Sequence, residues 1–124
     1  METLEVGKSL VALCREGRFT EAIDQHYSES IVSIEGMTAP GMEKRMQGLD
    51  AIKGKTQRWI DNHEVHSMTA EGPFVAEGSN QFMVRFSMDV TKKQTGRRQQ
   101  GQEVGIYTVV DGKVAHEEFY FLGA

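Results

Sequence analysis

The clearest pattern along the chain is the alternation of apolar and polar residues over 81–91, where every second side chain is apolar. A period of two predicts a β-strand with one buried face. A second β-rich stretch, 103–121, is divided by Asp111-Gly112, a dipeptide typical of the type I′ turn between two antiparallel strands. The loop predicted over 92–100 joins the two stretches. The last third of the chain therefore predicts an antiparallel meander.

Helical spacing dominates the first half, where apolar residues recur three or four positions apart. Helices are predicted over 4–14, 19–27 and 49–60, and strands over 30–35 and 63–71, with a loop over 36–48. The order helix, helix, strand, helix and four strands predicts an α+β fold. We expect one domain spanning 1–124, in which the helices pack on one face of a strongly curved, mainly antiparallel sheet.

The Asp111-Gly112 turn also predicts which side chains share a face of the last hairpin. A two-residue loop places Val110 opposite Lys113, and continuing outward places Ile106 opposite Glu117. Glu117 would then lie on a mostly apolar face, with His116 and Tyr107 on the other. Burying a carboxylate costs roughly several kcal/mol unless it is paired or neutralised. Glu117 is therefore either a functional group or a carboxylate satisfied by a structural partner.

Composition narrows the function classes. The 14 basic and 18 acidic residues of the 124-residue chain give a net charge of −4, which argues against a nucleic-acid partner. The single cysteine, Cys14, excludes an internal disulfide framework and suits a reducing cytoplasm. No apolar run approaches the roughly 20 residues that cross a bilayer, so we expect no membrane association.

Four segments carry a resemblance to a known family. They are GRFTEAI at 17–23, IVSIE at 31–35, GLDAIKGK at 48–55 and YTVVDGKV at 107–114. With them, the chain resembles the SnoaL-like group of the nuclear-transport-factor-2-like superfamily, which also includes ketosteroid isomerase and limonene epoxide hydrolase. The resemblance covers nearly the whole chain. It implies a cone-shaped α+β domain with an internal pocket between the helices and the concave sheet face, and a homodimer through the convex face.

The resemblance is specific for fold and leaves two functions open, because this fold hosts enzymes and non-enzymes. One is an acid–base enzyme of the isomerase, cyclase or dehydratase type that binds a small apolar organic molecule. The other is a non-catalytic ligand-binding or dimeric scaffold domain. No cofactor is expected for either.

Three residues are candidates for acid–base catalysis. Glu117 is the first, since desolvation would raise its pKa. Glu35 ends the first strand near the proton-abstracting carboxylate of ketosteroid isomerase, although straight alignment places Gly36 there. His66 is the third, as a single acid or base. It cannot share a metal ion with His63, because a spacing of three on a strand sends the two side chains to opposite faces, so no metal site is expected.

Five further residues are candidates for lining a ligand pocket, with ordinary core packing as the alternative for Tyr27 and Trp59. They are Tyr27, Trp59, Phe82, Ile106 and Phe119. The resemblance also shows departures. Ile106 stands where ketosteroid isomerase has a second acid, and Phe119 stands where the epoxide hydrolase has one of its aspartates. The departure at Ile106, together with the lack of a tyrosine on the first helix, argues against the isomerisation machinery of ketosteroid isomerase.

Overall fold

The computed structural model describes residues 2–36 and 43–122. They form three helices and a six-stranded sheet, so the predicted α+β class is confirmed. The elements in chain order are α1 (Thr3–Arg15), α2 (Phe19–His26), β1 (Tyr27–Glu35), β2 (Arg45–Gln47), α3 (Leu49–Asn62), β3 (His63–Val75), β4 (Gln81–Lys92), β5 (Arg97–Val110) and β6 (Lys113–Phe121).

The sheet has the strand order β2-β1-β6-β5-β4-β3, and β1 runs parallel to β6 while all other neighbours are antiparallel. α1 packs on β3 and β4, and α3 packs on β1. We call the sheet face covered by these helices the inner face, and the opposite face the outer face. The chain therefore has one layer of helices over one curved sheet.

The core lies between the helices and the inner face. α1 supplies a stripe that includes Val6 and Leu10, both fully buried, and the inner face supplies Ile31, Phe82 and Val84. Burying a side chain of this size stabilises the fold by about 1.5–3 kcal/mol relative to leaving it exposed. The alternation that predicted β4 matches this core, because its even-numbered positions Phe82, Val84 and Phe86 are the buried ones.

The strands differ from the predictions in four places. β1 begins at Tyr27, which the helix predicted over 19–27 had included, and not at residue 30. β3 continues through Gly72-Pro73 to Val75, because a register shift between Glu71 and Phe74 accommodates the proline as a bulge. β5 begins at Arg97, so the loop predicted over 92–100 is shorter than expected. The short strand β2 lies within the predicted 36–48 loop, of which residues 37–42 fall outside the described residues.

The last hairpin has the predicted turn but not the predicted register. Asp111 and Gly112 both have positive φ, 51° and 77°, as a type I′ turn requires, and Val110 pairs with Lys113. A bulge then shifts the pairing after Val109, because Val109 pairs with Val114 whereas Thr108 pairs with His116. One extra residue on β6 moves every later pair by one.

As a consequence, the β5 residues on the inner face are those that were predicted to lie on the other face. Glu117 pairs with Tyr107, and Ile106 pairs with Glu118, so the prediction that Ile106 lies opposite Glu117 is wrong. Tyr107 and Gly105 are buried on the inner face, on the same alternation as Glu103. The prediction for β6 is confirmed, since Glu117 is buried on the inner face.

Candidate functional site

Glu117 is the buried carboxyl group of the inner face, with 2% of its surface exposed. The Tyr27 hydroxyl donates a hydrogen bond to its Oε2. Ser33 is the residue paired with Glu117 on the neighbouring strand β1, and its buried side chain lies beside the carboxyl group on the same face of the sheet. Both partners of the buried acid therefore come from β1.

Burial raises the pKa of Glu117, because the charged form loses its hydration. The hydrogen bond from Tyr27, the charge of Lys55 and the nearby Ser33 hydroxyl all act against this shift without cancelling it. The pKa of Tyr27 is raised well above its ordinary value, first by burial and then by the nearby Glu117. Glu117 thus holds its proton more tightly than a carboxyl group in water does.

Lys55 connects the buried residues beside Glu117 to the partly exposed Glu35. Its Nζ lies 3.1 Å from the Ser33 Oγ and 3.0 Å from the Glu35 Oε1. The side chains of Lys55 and Glu35 are 19% and 18% exposed. The Lys55 Nζ also lies 5.7 Å from the centre of the Phe119 ring, within the range of a cation–π contact. Hydrogen bonds therefore run from Ser33, the strand neighbour of buried Glu117, through Lys55 to partly exposed Glu35.

Glu103 is a second inner-face carboxyl group with an altered pKa. Burial, followed by the charges of Glu35 and Glu117, raises its pKa to about 7, while Lys55 acts in the opposite direction. A carboxyl group that titrates near neutral pH can both hold and release a proton under physiological conditions. We refer to the six side chains together as the Glu117 cluster: Tyr27, Ser33, Glu35, Lys55, Glu103 and Glu117.

Sequence reasoning missed Ser33, Lys55 and Glu103, although two of them carried a signal. Lys55 lies three residues after buried Ile52, on the same side of α3, and a lysine there is unusual. Ser33 alternates with buried Ile31 on β1. The bulge reversed the faces predicted for β5, so the sequence pattern did not place Glu103 on the inner face.

Aromatic side chains border the cluster. Tyr107 stacks on Phe82 with ring centres 4.8 Å apart, and its ring meets the Phe119 edge at 90° and 6.0 Å. Phe82 is 1% exposed and is a core residue behind Tyr107. Of the aromatic residues proposed to line a pocket, Tyr27 belongs to the Glu117 cluster and Phe119 contacts it through Lys55.

Three proposed site residues lie away from the cluster. Ile106 points to the outer face, as the hairpin register requires. His66 is exposed, and its Nε2 lies 2.6 Å from the Thr91 hydroxyl. Trp59 stacks on His63, with ring centres 4.6 Å apart, at the C-terminal end of α3. The structure brings Glu117, Glu35, Tyr27 and Phe119 together and leaves these three outside.

Two surface clefts are found elsewhere in the described part of the chain. One, of about 390 Å³, lies on the outer face and is lined by residues that include Ser67, Ser87, Asp89 and Gln100. The other, of about 640 Å³, lies beside the start of α1 and Pro73. Neither contains the Glu117 cluster, so the internal pocket stays a prediction.

Within 2–36 and 43–122, no group of three or more histidine, cysteine, aspartate or glutamate side chains has the geometry of a metal site. The same residues contain no helix that is both long and apolar enough to cross a membrane. The chemistry that the cluster itself offers is hydrogen bonding and proton exchange by carboxyl groups, with one ammonium group beside them.

Comparison with solved structures supports the fold assignment. A candidate SnoaL-like polyketide cyclase from Mesorhizobium loti is 39% identical, with a TM-score of 0.89 over 97% of this chain and 99% of that one. A candidate isomerase from Bacillus subtilis is 19% identical, with a TM-score of 0.80 over 98% and 89% of the two chains. A candidate polyketide cyclase from Pseudomonas putida is 13% identical, with a TM-score of 0.71 over 97% and 91%.

No curated protein shows a significant match to this chain. The SnoaL-like domain family, by contrast, matches residues 1–121, which is nearly the whole sequence. This match agrees with the helices, the six-stranded curved sheet and the similarity to the Mesorhizobium loti protein. The chain therefore belongs to the SnoaL-like family, with the nuclear-transport-factor-2-like fold.

Proposed function

We propose that this protein binds a small, largely apolar organic molecule at the inner face of its sheet and catalyses proton transfer on it, as in an isomerase, cyclase or dehydratase reaction. The observation that carries the proposal is Glu117, a buried carboxyl group of raised pKa that is bonded by Tyr27. Strongly altered pKa values cluster at functional sites, because catalytic acids and bases need pKa values near the working pH.

The roles follow from the environment of each group. Glu117 in its neutral form donates a hydrogen bond or a proton to an oxygen atom of the ligand, and Tyr27 holds its orientation. Glu35, ion-paired with Lys55, is the second acid–base candidate. A ligand would approach from the Lys55–Glu35 side, where the cluster reaches solvent. His66 is left out of this machinery because its exposed side chain bonds Thr91.

The relatives support the same class of chemistry. The Mesorhizobium loti and Pseudomonas putida proteins are described as candidate polyketide cyclases and the Bacillus subtilis protein as a candidate isomerase. Reactions of both kinds involve proton transfer at carbon or oxygen atoms. We propose that this chain shares that chemistry.

The test is exchange of the carbon-bound protons next to a carbonyl group in D₂O, followed by ¹H NMR. 2-Tetralone, 2-indanone and cyclohexanone serve as apolar probe ketones. In this exchange a C–H bond breaks, the proton passes to the protein, and deuterium from solvent replaces it. We expect the protein to accelerate exchange of at least one ketone and Glu117→Gln to reduce the acceleration by about 10²–10⁴-fold.

Glu118→Gln is the matched control, because Glu118 is also on β6 and is also hydrogen-bonded by a tyrosine, Tyr120, but faces outward. It should retain full activity. Equal losses in the two variants, or neither binding nor exchange with any ketone, would contradict the proposal.

A non-catalytic ligand-binding or scaffold role is the second candidate, favoured by the surface clefts lying away from Glu117. Saturation-transfer NMR on the same samples separates the two. Binding that is lost in Glu117→Gln, without any exchange in the parent protein, would assign ligand binding alone. Native mass spectrometry of protein purified from cells would then give the mass of any molecule that remains bound.

A further inference from the structure

We infer that Lys55 acts on Glu117 through Ser33, so that the two residues form a positioning pair that fixes the orientation and the charge preference of the buried carboxyl group. The contacts are the 3.1 Å approach of Lys55 Nζ to Ser33 Oγ and the pairing of Ser33 with Glu117 across β1 and β6. This inference deepens the proposed function, because it assigns what controls its reactive group.

The direction of the hydrogen bonds carries the argument. A lysine ammonium group has only donors, so Ser33 Oγ must accept from Lys55. The single hydroxyl hydrogen of Ser33 is then directed away from Lys55 and is available to donate to Glu117. Tyr27 donates to the Oε2 of the same carboxyl group. Glu117 therefore has a second hydroxyl group beside it, that of its strand neighbour Ser33, and Lys55 determines the direction of this hydroxyl.

Two donors on a carboxyl group favour its charged form, whereas burial favours its neutral form. Lys55 determines how strongly burial favours the neutral form of Glu117. Without Lys55, the Ser33 hydroxyl can rotate and accept a hydrogen bond from neutral Glu117. The titratable groups that face Glu117 come from several elements and all belong to this balance: Cys14 on α1, Tyr27 and Glu35 on β1, Lys55 on α3, and Glu103 and Tyr107 on β5.

Lys55 could also act on Glu117 by its charge alone, without Ser33. The two explanations differ in additivity, because residues that act through one another give non-additive effects when both are replaced. A double-mutant cycle of Ser33→Ala and Lys55→Met measures this directly. Methionine retains the length of the lysine stem, and alanine removes only the hydroxyl group.

The readout is the titration midpoint of the Glu117 carboxyl carbon, measured by ¹³C NMR on protein with labelled glutamate and assigned from its absence in Glu117→Gln. No ligand is needed, so the result does not depend on the proposed proton-transfer function. We expect each single replacement to raise the midpoint by about 1 pH unit. We expect Ser33→Ala to have a smaller effect when Lys55→Met is already present.

Lys53→Met is the matched control, since Lys53 is on the same helix but pairs with Asp24. It should leave the Glu117 midpoint unchanged. An unchanged midpoint in Lys55→Met, or an equal effect of Ser33→Ala in both backgrounds, would overturn the inference. If circular dichroism shows that Lys55→Met does not fold, Lys55→Gln takes its place in the cycle under the same criterion.

Discussion

At the scale of one residue, Glu103 shows how the inner face raises the pKa of a carboxyl group. Its carboxyl group is desolvated and lies near the charges of Glu35 and Glu117, and Lys55 compensates only in part. The folded chain therefore prefers Glu103 protonated, with a pKa of about 7 in place of the ordinary 4.5. The ionised form of Glu103 therefore destabilises the fold at neutral pH, and altered pKa values of this kind are common at functional sites.

This cost gives a pH-dependent stability prediction. Because the folded-state pKa is raised, the stabilising contribution of neutral Glu103 is complete below about pH 4.5 and is lost as the pH rises through about 7. Glu103→Gln removes that loss. We expect the gain in free energy of unfolding from Glu103→Gln to be about 1–3 kcal/mol larger at pH 8 than at pH 5.

Urea unfolding of both proteins at the two pH values measures this difference. Glu118→Gln, on the outer face of β6, is the matched replacement of a glutamate on the same sheet. A gain for Glu103→Gln of the same size at both pH values would show that burial does not control this carboxyl group.

At the scale of the elements, the β5–β6 hairpin shows how much of the site the sequence could predict. The turn, the burial of Glu117 and the position of Phe119 on the same face followed from local rules. The bulge after Val109 did not, because a turn fixes the register only as far as the first irregularity. One strand of the hairpin was therefore assigned the correct face, and the other the wrong one.

The same limit applies to the rest of the site. Helix spacing and strand alternation predicted three helices and five of the six strands, because these patterns are written in neighbouring residues. Ser33 and Lys55 are polar, and their burial depends on partners distant in sequence. Such contacts exist only once the sheet and α3 are packed together.

Gly105 is a position on β5 where the neighbouring Tyr107 ring leaves no room for a side chain. A Cβ atom at this position would lie 2.8 Å from Tyr107 Cε2 and 2.9 Å from its hydroxyl, and Phe82 and Phe119 hold that ring on other sides. We expect Gly105→Ala to lower the free energy of unfolding by about 1–3 kcal/mol through overpacking. Chemical denaturation gives the value.

Gly101 is the matched control on the same strand, because a Cβ atom there meets nothing within 4 Å. Gly101→Ala should be neutral or slightly stabilising, since it reduces the entropy of the unfolded chain. Similar losses in the two variants would place the cause in the strand backbone and not in the Tyr107 ring.

At the scale of the whole molecule, the outer face of the sheet carries an apolar row across three strands. Phe74, Met83 and Ile106 are successive register partners, and the first two are 51% and 37% exposed. Tyr120 on β6 is 45% exposed on the same face. An apolar sheet face open to water is typical of a surface that another protein covers. We propose that a second copy of this chain covers it, giving a homodimer.

A charge placed in this row tests the proposal. We expect light scattering after size exclusion to give twice the mass of one chain for the parent protein and the mass of one chain for Met83→Asp, because a dimer would bury an unpaired carboxylate at its centre. Leu4→Asp is the control, since Leu4 is 44% exposed but lies on α1, away from this face. Circular dichroism establishes that both variants fold. A monomeric parent protein, or dissociation by both replacements alike, would contradict the proposal that the outer face is a homodimer interface.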